Sequence, residues 1–578
     1  MLAPAAVACV PSALLQLVLV LGLCDLGYAE PAVVSPHTAA DDGPILIAAA
    51  AAAAASGAFD VQVSIGAAHA ATRVTSLTSV TMDVCVAKQR FPFDNKDLLG
   101  LSKHLGGGDS ILRIGGSDQN SFFYDMSSSQ AETFSAKTGG QCCGHTGSCS
   151  GCVHDCTMPA GYWKSMTDFA KASGHKFVFG LVPNVTQATS LIEFSARNHL
   201  PVFAYSFGNE MDSPTVTNGY PVLRKLLDSL FPAAAGKQAP KLAGPDLYAQ
   251  HSFGYTLDEA LAGQDKDVIK HLAGMDNFAT KAGSTLDAFS WHTYDYETPM
   301  LGMTDHHDLR MNPLVSRLWS TKHLDFALRL QGNVSDIARR GAPGAEVWIT
   351  ESNSICHQGI NGVTNAFLNS VWLVNRLGIM ANANVSIMAR QSLVGYNYSL
   401  LGNWPTEPIS PNPDFFTTVL FRRLFGDVVL STTATPSAAG PPPTNITEGG
   451  DRARAFAFCA SESLRTADGT LASRSAGAVS VAMINFDPQE SATFRFDRHM
   501  GSHHDYVLAP GPNPLDANAP WSSRKILLNG ELLTMSAPSW ELPAALTGEG
   551  RQNEGGIVLP PLHVGFAVFP TAGVPDCQ

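Results

Sequence analysis

Charge is scarce in this chain, and positive charge scarcer still. Only 15% of the 578 residues are charged, and 37 Lys and Arg stand against 50 Asp and Glu, a net charge of −13. That balance excludes a general electrostatic attraction to nucleic acid or to an anionic membrane surface. No Lys or Arg precedes the apolar stretch from about Val10 to Leu23, which is shorter than the ~20 residues a membrane span needs. Gly27-Tyr28-Ala29 follows it as a small-residue cleavage site, so residues 1–29 read as a secretory signal peptide. The expectation is a secreted protein, extracellular or in a lysosome- or vacuole-like compartment, with no integral membrane span after cleavage. Cysteine is also sparse: of 11, Cys9 and Cys24 leave with the signal, and an odd number remains.

The length exceeds one ordinary domain and points to a large barrel with a companion. Residues 30–58 form a low-complexity leader that ends in the alanine tract Ala48 to Ala55. Phe59 to Ile65 then alternates with period two and reads as the first strand. Eight further β-type runs follow: Ser79 to Met82, Ser110 to Ile114, Lys176 to Leu181, Val202 to Phe207, Lys241 to Ala243, Ala288 to Trp291, Ala345 to Ile349 and Val385 to Ala389. Segments with helical spacing separate most of them, which predicts a (β/α)8 TIM barrel, an α/β unit, over residues 71–425. From about 426 to 578 the pattern changes to short alternating strands. Ala453 to Cys459, Ala478 to Ile484, Ala492 to Phe496, Lys525 to Leu528 and Val564 to Phe569 read as an antiparallel β-sandwich, with Pro436 to Thr444 as a surface loop.

Two glutamates carry the chemistry. Glu210, in PVFAYSFGNEMDSP, follows the fourth run, and Glu351, in AEVWITESNS, follows the seventh. A barrel presents its catalytic groups at the C-terminal ends of its strands. Two carboxylates so placed suggest glycoside hydrolysis, one protonating the leaving oxygen and the other attacking the sugar or activating water. Asn209 beside Glu210 is suited to hold a sugar hydroxyl near the proton donor. The sequons at Asn184, Asn333, Asn384 and Asn445 fit a secretory route, whereas a fifth at Asn397 falls in a segment expected to line the site. Cys142, Cys143, Cys149, Cys152 and Cys156, with His145 and His154 between them, admit two readings. A C-x2-C step suits zinc, while irregular spacing in a secreted chain suits disulfides in an insert over 127–157. The odd thiol would be Cys85 or Cys356.

The segments ILRIGGSDQNSFFYD, FAYSFGNEMDSP, KLAGPDL, FSWHTYDY, VWITESNS, IMARQSLVGYNYSLL, PDFFTTVLFRRLFGDVVL, SRKILLNGELLTM and IVLPPLHVGFAVFP run in register with the heparanase-like retaining β-glucuronidases, and the chain resembles that family from about residue 59 to its end. The resemblance implies Glu210 as acid/base and Glu351 as nucleophile, with no cofactor and no metal, and so favours disulfides for the cysteine cluster. It places Asp83 and Ser117 on the sugar, His292 and Tyr294 beside the nucleophile, and Gln391 and Tyr398 on the substrate. Tyr398 and backbone amides after Glu351, around Gly359, would take the sugar carboxylate. That loop, SNSICHQGING, departs from the family in carrying His357 and Gln358 where glycines are common. The resemblance also pairs Cys459 with Cys577 and puts residues 59–70 into the C-terminal sandwich.

The implied partner is a uronic-acid-containing polysaccharide or proteoglycan. DLYAQHSFGY, in a loop position where heparanase meets its sulfated substrate through basic residues, has no Lys or Arg, and DYETPMLGMTDHHD is acidic and apolar. Exo-acting removal of glucuronic acid from non-sulfated glycans, a catalytically silent glycan-binding homologue, and a structural matrix glycoprotein are the alternatives.

Overall fold

The computed structural model describes residues 58–127, 134–136, 156–232, 238–250, 257–296, 319–436, 451–461, 477–497, 500–514, 516, 519–547, 550–553 and 555–578. Eight strands close into a parallel barrel: Ser76–Asp83, Ile111–Gly115, Lys176–Leu181, Val202–Phe207, Lys241–Tyr248, Ala288–Tyr296, Glu346–Ile355 and Ile387–Gln391. Each pairs with its neighbours in sequence, and the eighth returns to the first with Gln391 opposite Thr81. Every anticipated run overlaps one of these strands. The short apolar runs suit this sheet because helices cover the barrel's outside and side chains fill its inside, so Ile111–Gly115 and Ile387–Gln391 are buried at every position.

Helices complete the outer layer, several of them started by a side chain that accepts an otherwise unpaired N–H. Asn184 caps Val185–Arg197, Ser213 caps Pro214–Leu230 and Asp265 caps Lys266–Ala282. Inside the barrel floor one large ring meets small neighbours. Trp348 is surrounded by Ala204, Ala243, Ala288, Ile111, Val178 and Ile387, which pack as a cluster separate from the outer core.

The remaining chain forms an 11-stranded sheet, antiparallel except for one pair. The leading strand is longer than expected, Ala58–Arg73 rather than Phe59 to Ile65. It pairs antiparallel with Phe425–Pro436 and parallel with Ser491–Phe496. Two long strands, Phe425–Pro436 and His503–Pro510, lie where no strand was expected. The first is half exposed and rich in Ser and Thr, and the second opens on two histidines and an aspartate, so neither shows an apolar run. Phe59, Val61 and Phe494 from one end of the sheet share a core with Ala457, Val481 and Phe569 from its middle, which makes the unit a sandwich. The opposite face of those middle strands, through Phe456, Phe458 and Phe566, joins the barrel's core.

Between the two lies helix Phe367–Asn382, buried from Phe367 to Ala381, and its Gly378 is held so close to Phe456 that a Cβ would fall 2.2 Å from the ring. Cys459 and Cys577 are bonded, tying the C-terminal segment to the central strand Ala453–Ala460. Among the described residues no helix is long and apolar enough to cross a membrane.

Candidate active site

Above the apolar floor the barrel interior turns polar. Inward positions two residues along from the floor residues carry Arg113, Ser290 and Thr350, and all three donate to one carboxylate, that of Asp246. The distances are 3.1 Å from Arg113 Nη2, 2.5 Å from Ser290 Oγ and 2.7 Å from Thr350 Oγ1. Burial alone would raise the Asp246 carboxyl, but Arg113, then His292 and the two hydroxyls, hold it well below the usual carboxylate range. A charged plug therefore sits directly beneath the mouth.

Arg113 reaches upward as well. Its Nη1 lies 2.8 Å from Glu351 Oε2, and its Nη2 lies 2.8 Å from Asn209 Oδ1. Glu351 was expected to end its strand, but the strand runs on to Ile355. The pairing register shifts beside it, with Trp291 opposite Ile349 but His292 opposite Glu351. This irregularity lets two consecutive residues, Thr350 and Glu351, both serve the interior network, which a regular strand would forbid. Tyr294 completes the setting by donating its hydroxyl to Glu351 Oε1 at 2.5 Å. Burial first, then Glu351, pushes that phenol well above its ordinary value, so it stays a neutral donor.

Glu210 is presented differently. It follows strand Val202–Phe207 and sits at φ +54, a left-handed conformation that is costly for a residue with a side chain. Its amide is bonded to Asp246 O at 3.0 Å, and Asn209 beside it is locked to Asn120 through both backbone groups. His292 Nδ1 lies 2.8 Å from Glu210 Oε1 and 3.9 Å from Glu351 Oε2. His292, expected beside the nucleophile, approaches both acids, and Glu210 is its nearer partner. Burial pulls the imidazole's pKa down, but Glu351 and Glu210 outweigh it, and the net shift is upward.

Asp83 closes the first barrel strand and caps the following turn by accepting from Cys85 N at 3.0 Å. Its carboxyl is pushed up to about 8, by burial first and by Glu351 next. Gly116 lies against it at φ +101, where a Cβ would fall 2.8 Å from the carboxyl, so only glycine fits. Ser117 follows, exposed, at the start of a short helical turn. Gln391 uses its amide within the protein, accepting from Thr81 at 2.8 Å and donating to the Tyr398 hydroxyl at 3.3 Å. It therefore orients Tyr398, whose own proton remains available to another acceptor. Gly359, at φ +70, lets its loop press under Tyr398, where a Cβ would come within 2.9 Å of the tyrosine's.

Sequence reasoning gave no role to Arg113 or Asp246. An arginine inside the apolar run ILRIGG was the available signal, since a buried guanidinium must find carboxylates. Asn184, Asn333 and Asn384 are exposed, while Asn445 lies outside the described residues. Among the described residues Cys85 and Cys156 are disulfide-bonded and Cys356 is not, so of the two candidates for the odd thiol it is Cys356. Cys142, Cys143, Cys149 and Cys152 lie outside the described residues.

One oxygen each from Glu210 and Glu351 and a nitrogen of His292 fall within 4.8 Å of one another, a spacing that a metal ion accepts. The guanidinium on Glu351 opposes it, because a cation there would face Arg113 across one carboxylate. The set suits a reacting sugar between two acids better than an ion.

The chain matches the N-terminal domain of glycosyl hydrolase family 79 over residues 273–378. It is 23% identical to heparanase-like protein 3 of Arabidopsis thaliana over 505 residues, 81% of this chain and 82% of that protein. It is 28% identical to baicalin-β-D-glucuronidase of Scutellaria baicalensis over 263 residues, 44% of this chain and 43% of that one. Among solved structures, a 4-O-α-L-rhamnosyl-β-D-glucuronidase from Fusarium oxysporum 12S aligns with a TM-score of 0.55 and 14% identity, over 88% of this chain and 99% of its own. The two facing glutamates thus stand in a barrel of the expected kind, and the chain is similar to the heparanase-like glycosyl hydrolases of family 79.

Proposed function

We propose that the protein is a retaining β-glucuronidase that cleaves β-glucuronidic linkages in a uronic-acid-containing glycan or proteoglycan chain. The observation that carries this reading is the approach of the Glu210 and Glu351 carboxylates to within 4.8 Å. A retaining enzyme holds its carboxyl groups about 5–5.5 Å apart, whereas an inverting one leaves about 6.5–9.5 Å for a water. Exposure divides the roles. The Glu351 side chain is 11% exposed and fixed by a cation and a phenol, as suits an ionised nucleophile; Glu210 is 26% exposed, as suits a group that must meet leaving group and then water.

In the first step Glu351 attacks the anomeric carbon as Glu210 gives its proton to the departing oxygen. In the second, Glu210 takes a proton from water, which displaces Glu351 and returns the β configuration. The Asn209 amide nitrogen donates to no group among the described residues and is suited to a sugar hydroxyl. Specificity for a uronic acid is supported by the loop after the seventh strand. There Gly359, at φ +70, packs against Tyr398, whose hydroxyl proton is available to a sugar carboxylate, while the Gly359 N–H is bonded to Cys356 O at 3.3 Å. The relatives named for glucuronides support the same sugar.

Hydrolysis of an aryl β-glucuronide beside a panel of polymeric uronides tests activity and substrate together; no turnover of any glucuronide overturns the reading. We also propose a secretory route, supported by the Cys459–Cys577 bond and the exposed sequons at Asn184, Asn333 and Asn384. Mass analysis of protein recovered from medium, with and without an amidase for N-glycans, checks it.

A further inference from the structure

The substrate tyrosine stands on a loop that the sandwich holds from outside. After the eighth barrel strand the chain folds back on itself between Gln391 and Asn412, carrying Tyr396 at φ +69 and Tyr398 with their rings 5.6 Å apart edge to face. Beneath them Asn403 Oδ1 accepts from Tyr396 N at 2.8 Å, and Asn403 N donates to Glu407 Oε2 at 3.2 Å. Asn412 holds the other arm, its Nδ2 donating to Ser399 O at 2.8 Å. Both Glu407 and Asn412 are gripped by one side chain from far along the sequence. Arg524 donates from Nη1 to Glu407 Oε1 at 2.7 Å, and from Nη2 to Glu407 Oε2 at 2.9 Å and to Asn412 Oδ1 at 3.0 Å.

The base of this arm is fixed. Ser523 O accepts from Phe367 N at 2.9 Å, Lys525 N donates to Ser523 Oγ, and Lys525 O accepts from Gly511 N at 2.8 Å. A planar fork on a fixed base sets the angle as well as the distance of what it holds, which a flexible ammonium does not.

We propose that Arg524 is a positioning residue for sugar recognition: by clamping Glu407 and Asn412 it sets the Tyr396–Tyr398 loop, and through it the hydroxyl that meets the substrate's carboxylate. The inference rests on the assignment of Tyr398 to the uronic acid. It gives the sandwich a part in the barrel's specificity.

The test compares kcat/KM for an aryl β-glucuronide with that for the matching aryl β-glucoside, which lacks only the carboxylate, in the full chain and in Arg524→Ala, Arg524→Lys and Glu407→Gln. Hydrogen bonds to a charged group are each worth enough that Arg524→Ala is expected to lower the glucuronide-to-glucoside ratio about tenfold, mainly through KM for the glucuronide. Lysine should restore little of it, and Glu407→Gln, which keeps the shape and weakens the grip, should shift the ratio the same way by less. A general loosening would lower both substrates alike. Unchanged ratios in Arg524→Ala and Glu407→Gln overturn the proposal. If Arg524→Ala does not fold, Glu407→Gln and Arg524→Lys decide it by the same ratio. A wild-type protein with no preference for the glucuronide would instead overturn the assignment of Tyr398 on which this one rests.

Discussion

His292 Nδ1 stands 2.8 Å from Glu210 and 3.9 Å from Glu351, so one buried imidazole approaches both carboxylates at the barrel mouth. Each glutamate has in addition its own fixed support: a backbone bond to Asp246 O for Glu210, and Arg113 with Tyr294 for Glu351. The pair is therefore fixed by the fold itself, the kind of preorganised charge that the proposed reaction calls for.

The two glutamates should fail in different ways. Glu351→Ala is expected to abolish turnover of aryl β-glucuronides and to regain it with azide, which enters the space of the missing carboxylate and gives the α-configured azide product. Glu210→Gln should slow poor leaving groups by about 10²–10⁴-fold while activated aryl groups lose far less, since general acid assistance matters least where no proton is needed. Proton NMR of the first-formed anomer and a leaving-group series check both. An α-anomer as first product of the wild type would remove the retaining assignment.

Asp83 gives the protein a pH dependence with a definite sign. Its carboxyl is raised to about 8 in the fold by burial, Glu351 and Asp118, against an ordinary 3.8, although Cys85 N and Arg113 pull the other way. Between those values the folded chain holds a proton that the unfolded chain has lost, so the unfolded state binds fewer protons and stability falls as pH rises. The contribution is complete below about pH 4 and gone above about pH 8. Asp83→Asn should flatten that limb of the melting temperature against pH. An unchanged slope would show that Asp83 is ionised in the fold.

The pieces that were legible in the sequence are those where local pattern and fold agree. Runs such as Lys176–Leu181 and Val202–Phe207 were bounded to the residue because a strand buried on both faces must be apolar throughout. Glu210 and Glu351 stood out as acids against such runs. What stayed hidden depends on three-dimensional register. Nothing in VWITESNS announces the irregularity that turns both Thr350 and Glu351 to the interior, and nothing in KLAGPDL says that Asp246 will gather Arg113, Ser290 and Thr350. Phe425–Pro436 was missed because one of its faces is wet, and its pairing with Ala58–Arg73 spans most of the chain.

The Cys459–Cys577 bond closes a segment of 118 residues. In the chain-entropy account a loop of about 100 residues contributes roughly 4–5 kcal/mol by restricting the unfolded state. The Cys459→Ser/Cys577→Ser double variant should therefore unfold at markedly lower denaturant while keeping its KM, because the bond lies in the sandwich core, not at the barrel mouth. Equal denaturant midpoints for the two proteins would deny the bond a stabilising role.

Arg113 holds both the buried Asp246 and the proposed nucleophile Glu351, and its removal should show in stability and in activity. Neither its side chain nor that of Asp246 has any exposure, and both Asp246 and Glu351 lean on it. Taking one partner from a buried ion pair typically costs about 3–5 kcal/mol, because the remaining charge is stranded. Arg113→Met keeps the volume of the stem and should destabilise by that amount. With the cation gone, burial is left to dominate Asp246 and should raise its carboxyl, so the variant should lose stability as pH rises above the ordinary carboxylate range, a limb the wild type does not owe to Asp246. Adding Asp246→Asn removes the stranded charge and should recover part of the loss and the pH slope, but not activity, since Glu351 still lacks its guanidinium. Urea unfolding of the single and double variants between pH 5 and 9, with kcat for an aryl glucuronide, separates the two effects. An Arg113→Met protein as stable as the wild type and flat in pH would show that Asp246 does not depend on Arg113 for its charge.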